Sequence, residues 1–200
     1  MNLEKLFQMQ KELDARIERE HPREPGEDRL AKKILALLVE LGELANEWRG
    51  FKFWSKDQEP RFGGYCGCDD GYVDIYLGHG EVGQKLCPQC EGEGTLPNRV
   101  LEEYVDCLHF ILSIGLELNI PEICGTETKW DELTSVETDI TQQFLLVFEN
   151  VNKLVHPIDW INLFEEFYIL GEMLGFTWEQ IEEAYMSKNA ENHARQENGY

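Results

Sequence analysis

Basic residues are scarce in this chain: lysine and arginine number 18 against 39 aspartates and glutamates, for a formal charge of −21 with histidine neutral. That shortage argues against nonspecific binding to nucleic acid or to an anionic membrane, because both demand a basic face that displaces counterions. No uninterrupted apolar run approaches the roughly 18 residues that cross a bilayer. No N-terminal stretch combines a charged start, an apolar run and a small-residue cleavage site. The expectation is a cytoplasmic chain with no membrane and no nucleic-acid partner. Cysteines number only six, and a reducing compartment favours metal binding over disulfides for them. No sequence repeat is visible. What is present in quantity is hydrophobic sequence, 42% of 200 residues, enough for a real core in one compact domain with room for a small insertion. An anionic ligand would meet so acidic a protein only across a divalent cation.

Helical periodicity runs through most of the chain. Leu3, Leu6, Phe7, Met9, Leu13 and Ile17 recur at helical intervals, and the pattern fades in HPREPGED at 21–28. A second helix is predicted from about Arg29 to Trp48, with Leu30, Ile34, Leu37, Leu41, Leu44 and Trp48 on one stripe. From about Pro60 to Pro97 glycines become dense, cysteines appear in pairs, and YVDIYL (Tyr72–Leu77) alternates as a strand would. Residues 98–120 then read as a central helix, apolar on nearly every side. Further helices are expected over about Val136–Leu154 and Ile158–Leu174, and Thr177 to Gln180 forms a capping box opening a last helix that reaches about Arg195. The segments Phe144–Val151 and Trp160–Leu174 suit either a subunit interface or the chain's own core.

The second helix carries Glu40, Glu43 and Glu47 beside its leucine stripe, within an arc of about 60° at 100° per residue. The central helix carries Glu103 and Asp106 on the face of Phe110. Four carboxylates facing one another inside a bundle repel and take up protons unless cations compensate, and crowded hard oxygens suit Mg²⁺ or Mn²⁺. The plainer reading is a solvated acidic face on good helix formers. It fits Glu40 and Glu43 better than it fits Glu103 and Asp106, which are hemmed in by Val105, Cys107, Leu108, Phe110 and Ile111. Near the C-terminus Lys188, Asn192 and Arg195 share one helical face, with Asn189 beside them. They make either an anion-binding face or a frayed, solvated helix end.

The pairs Cys66–Gly–Cys68 and Cys87–Pro–Gln–Cys90, separated by 18 residues, suit a closed tetrahedral Cys₄ zinc site. Redox use, and no joint role at all, are the alternatives. CPQCEGEG resembles one cysteine–glycine repeat of the DnaJ zinc domain. Cys107 reads as a core residue, and Cys124 has no obvious partner.

MQKELD (9–14), LVELGELANEWRGFKFWS (38–55), LEEYVDCLHF (101–110) and KNAENHARQENGY (188–200) together resemble the all-α, dimeric dUTPases, within the wider all-α nucleoside triphosphate pyrophosphatase group that includes MazG-like enzymes. The resemblance implies an all-α helical bundle over 1–59 and 98–200, and the cysteine-rich segment 60–97, read above as zinc-binding with short β structure, is then a small insertion in it. It further implies a homodimer that hydrolyses dUTP to dUMP and pyrophosphate. Glu40, Glu43, Glu103 and Asp106 would ligate two or more Mg²⁺ ions, and Glu43 or Glu47 would orient or deprotonate the attacking water. Lys188, Asn192 and Arg195, helped by Lys52 and Asn189, would hold phosphate oxygens. Gln10, Asp14 and Trp54 would lie near base and sugar, with His109 close to the same pocket. Two features depart from the family pattern: Asp14 stands where members often have Asn, and the acid pairs are unusually far apart in sequence until the insertion is removed. The alternatives are a broader dUTP/dCTP or MazG-like activity, and a non-catalytic helical adaptor with a zinc module.

Overall fold

The computed structural model describes residues 2–79, 81–124 and 139–199. Among them seven helices run α1 (Leu3–Glu20), α2 (Arg29–Trp48), α3 (Arg99–Glu117), α4 (Ile120–Cys124), α5 (Ile140–Asn152), α6 (Pro157–Met173) and α7 (Trp178–Glu197). The fold is all-α with a small β insertion between α2 and α3. Five of the six long helices start where a side chain satisfies an orphan amide. Asn2, Asp28, Asn98, Asp139 and Thr177 accept from the N–H groups of Lys5, Ala31, Leu101, Gln142 and Gln180 respectively. Thr177 and Gln180 complete the expected capping box.

Helix α3 is the hub: it packs against α1, α2, α4, α6 and α7. Eleven of its residues are buried, from Val100 to Gly115. Two glycines allow close approaches around it. A Cβ on Gly115 would fall 2.9 Å from Phe7 and from the Trp160 indole nitrogen, and one on Gly171 would fall 2.5 Å from the Tyr104 hydroxyl. Through the second gap Tyr104 stacks on Phe167 and donates its hydroxyl proton to the Phe167 carbonyl at 3.0 Å.

The central helix stops three residues before the expected 120. Asn119 has φ 56°, and Pro121 offers no amide for a continuing ladder, so the chain turns and begins the short α4. Val136, the expected start of the fourth helix, and the Cys124 thiol lie outside the described residues. Phe144, Val147, Val151, Trp160, Leu163, Phe164, Phe167 and Leu170 are buried in the chain's own core.

The single strand expected in the insertion is one of four among the described residues. Strands β2 (Tyr72–Gly78) and β3 (Glu81–Leu86) form an antiparallel hairpin, and β1 (Gly64–Tyr65) pairs with β4 (Thr95–Leu96) at its base. The alternation in YVDIYL revealed β2, whereas EVGQKL carries no such signal. At its foot the insertion is tied to the bundle. The Arg61 N–H donates to the Glu47 carbonyl, the Arg61 carbonyl accepts from Arg99 N–H, and Phe62 meets Phe176 edge-on.

Candidate active site

Helices α2 and α3 bring Glu40, Glu43 and Glu103 together, with one carboxylate oxygen of each within 4.8 Å of the others. The i, i+3 spacing sets Glu40 and Glu43 on one face of α2, and the α2–α3 packing turns that face to Glu103. The cluster is costly to ionise. Burial, reinforced by the charges of Asp106 and Glu43, pushes the Glu40 carboxyl up to about 7. Burial, then Asp106, Glu43 and Glu40, do the same for Glu103. An all-oxygen, acidic and mutually repelling donor set is what a hard divalent cation requires.

Asp106, expected as the fourth member, lies outside the triad. Its carboxylate pairs with the buried Lys188 ammonium at 2.8 Å, and Lys188 also reaches Glu102 at 3.0 Å. Burial raises the Asp106 carboxyl while Lys188 pulls it back, leaving it above its ordinary value. For Lys188 burial works toward a lower value, but Asp106 and Glu102 outweigh it and the ammonium is held above normal. The cationic side chain expected on phosphate is, in this structure, an internal counterion.

A cavity of about 1030 Å³ is lined by Glu40 and Asp106 and by Gln10, Asp14 and His109. Asn192 and Arg195 line it from α7, with Arg195 bonded to Glu191 at 2.5 Å. The Gln10 amide N–H₂ donates to Asp14 at 2.7 Å, so its carbonyl oxygen is free to accept from the Tyr185 hydroxyl at 2.7 Å and from His109 Nδ1 at 2.8 Å. That network fixes the neutral tautomer of His109 with the proton on Nδ1. Burial, and then the nearby Lys188, lower the imidazole to about 3. The ring stacks on Tyr185 with centroids 4.1 Å apart, and its buried Nε2 is an acceptor with no partner among the described residues. Asp14 also accepts from Ser113 at 2.5 Å and faces Lys33 at 3.3 Å.

Several partners in and around this site were not singled out from the sequence, Glu102 and Glu191 among them. Tyr185 lies three and seven residues before Lys188 and Asn192, and Ser113 lies four and seven beyond His109 and Asp106, so both were available on faces already identified. Lys33 and Arg61 had no such signal. Glu47 is on the expected α2 face. Its Oε2 is buried without a hydrogen-bond partner among the described residues, with Arg61 Nε 3.7 Å away. Asn189 is buried beside Lys188. Lys52 and Trp54 are not brought to this cavity: Lys52 bonds to Asn46, and Trp54 is 65% exposed in the turn after α2. A turn outside the helical repeat cannot be aimed from sequence spacing.

The sequence model of a family described as dUTPase matches residues 2–75 and 93–200. The chain therefore belongs to the dUTPase family, whose activity is dUTP hydrolysis; a non-catalytic adaptor is not what this membership describes. The match skips 76–92, inside the cysteine-rich segment. No match was found among curated proteins. Among the described residues no helix is long and apolar enough to cross a membrane.

Proposed function

We propose that this chain hydrolyses dUTP to dUMP and pyrophosphate with divalent cations held by Glu40, Glu43, Glu103 and Asp106. The observation that carries the reading is the acidic triad, whose Glu40 lines a cavity of about 1030 Å³ together with Asp106. When bound, the ions supply Lewis acidity and neutralise the phosphate chain. The crowding that raises Glu40 and Glu103 supports their fit to such ions, because a cation removes the repulsion.

In this reading the remaining groups act directly on substrate and water. Glu43, the exposed member of the triad, and Glu47, with no hydrogen bond to its Oε2 among the described residues, orient the attacking water and take its proton. Arg195 and Asn192 grip phosphate oxygens, and Lys188, with Asn189 beside it, supplies positive charge where the leaving group becomes more negative. The base enters the pocket of Gln10, Asp14 and His109, where the His109 Nε2 accepts from a base N–H. Excluding bulk water from this pocket strengthens each polar contact. Homodimerisation and a cytoplasmic location belong to the same reading, and Lys52 and Trp54 take part where a second copy carries them to the cleft.

Asp14 favours a second reading, acceptance of dCTP as well as dUTP. A carboxylate only accepts hydrogen bonds, and both uracil N3–H and the cytosine amino group can donate to it. Assaying a panel of deoxynucleoside triphosphates with Mg²⁺, scored for pyrophosphate release, tests both. Release from dUTP alone supports the first reading and release from dUTP and dCTP the second. No release from either nucleotide overturns both.

A further inference from the structure

The cysteine cluster takes no part in the chemistry above, and its geometry carries a separate conclusion. We propose that Cys66, Cys68, Cys87 and Cys90 hold one zinc ion, and that this ion fastens the ribbon that seats Arg61 against Glu47. All four sulfurs lie within 4.8 Å of one another, with Cys66 and Cys87 at 3.6 Å and Cys68 and Cys90 at 3.5 Å. Those separations exceed the ~2.05 Å of a disulfide, and all four thiols are free. They match the roughly 3.8 Å between sulfurs on a tetrahedral zinc with bonds of about 2.3 Å. The Gly94 N–H points at the Cys90 sulfur at 3.3 Å, the outer-shell donation that steadies a thiolate ligand.

Apolar burial cannot hold this segment. Tyr65, Tyr72, Tyr76, Leu77, Val82 and Leu86 are all exposed. Yet the two cysteine loops are pressed backbone to backbone: a Cβ on Gly71 would lie 2.0 Å from the Gly92 carbonyl oxygen, and the Gly71 carbonyl accepts from Cys87 N–H at 2.7 Å. Metal binding is the source of folding free energy that such a module has available.

The ribbon runs from the cluster to the bundle without a break. Cys66 N–H donates to the Gly94 carbonyl at 3.0 Å, and Tyr65 and Gly64 pair with Thr95 and Leu96. The Arg61 carbonyl then accepts from Arg99 N–H at 3.0 Å, and the Arg61 N–H donates to the Glu47 carbonyl at 3.2 Å. Helices α2 and α3 close one end of this ribbon and the zinc closes the other. Arg61 is thereby held with its Nε 3.7 Å from the buried Glu47 Oε2. The inference does not depend on the reaction assigned to the carboxylates.

Metal analysis of the full chain, purified without chelator, is expected to give about one zinc per chain; iron in its place, or no metal, overturns the site. The Cys87→Ser/Cys90→Ser chain is expected to lose that zinc, and retaining it overturns the assignment to these thiols. Because that variant can fail to fold, the wild-type chain is also titrated with a mercurial in the presence of a chromogenic chelator. Zinc release in step with thiol modification is expected, and release before thiols react overturns the proposal. Hydrogen exchange after zinc stripping reads the second half. Exchange at the Cys66 and Arg61 amides is expected to quicken about tenfold or more while the buried amides of α1 are unchanged. Unaltered exchange at Cys66 and Arg61 overturns the fastening role.

Discussion

Lys188 on α7 reaches across to Asp106 on α3, with its ammonium 2.8 Å from the carboxylate and almost wholly buried. Paired in this way, Asp106 stands beside the converging cluster of Glu40, Glu43 and Glu103. Asp106 already has a cation, supplied by the chain itself, whereas Glu40, Glu43 and Glu103 have none within their own cluster. The helix that closes the bundle thus also neutralises one edge of the acidic site.

Replacing Lys188 by Ala leaves Asp106 half-buried without its counterion. The expected cost is about 3 kcal/mol of stability, since removing one partner of a buried pair strands the other. Urea unfolding in EDTA measures it, and added Mg²⁺ is expected to recover part of the loss. Turnover is expected to fall about 100-fold.

Glu43→Gln removes one member of the triad at an exposed position. Its dUTP turnover is expected to drop by a factor of about 1000, while its circular dichroism and thermal midpoint match or slightly exceed wild type, because one repulsive charge is gone. Steady-state kinetics and a thermal melt check both halves. Full activity would take Glu43 out of the site.

The raised carboxyls of Glu40 and Glu103 make metal-free stability fall as pH rises. Both reach about 7 in the folded chain against about 4.3 unfolded, so the native state binds more protons between those values. The resulting destabilisation is absent below pH 4 and complete above pH 7 to 8. The lowered His109 works oppositely on the acid side, with stability lost as pH falls from about 6.5 toward 3. The Glu40→Gln/Glu103→Gln chain isolates the carboxyl contribution. In EDTA its thermal midpoint is expected to gain on wild type steadily from pH 5 to pH 8. Saturating Mg²⁺ is expected to reverse that gain at pH 8, because only wild type binds the ion.

Asp14→Asn exchanges an acceptor for a group that both donates and accepts. It is expected to raise the dUTP over dCTP ratio of kcat/KM by about tenfold, because uracil O4 gains a donor and the cytosine amino group loses an ionised acceptor. Competition assays with both nucleotides measure the ratio, and an unchanged value would remove Asp14 from base recognition.

Much of this protein was legible in its residues. The 3.6-residue repeat of Leu37, Leu41, Leu44 and Trp48 dictates which face of α2 is buried, and therefore that Glu40, Glu43 and Glu47 line the margin of that face. The paired cysteines announce their own cluster, since short spacing within each pair leaves little freedom. What periodicity cannot encode is which helix faces which, or where a flexible side chain finds its partner. Only the packing of α7 against α3 and α1 decided that Lys188 meets Asp106 and that Tyr185 holds Gln10 and stacks on His109. Only the path of the turn after α2 kept Lys52 and Trp54 out of the cleft. A helix fixes angles among its own residues through local hydrogen bonds, whereas distances between helices are set by the whole core closing at once.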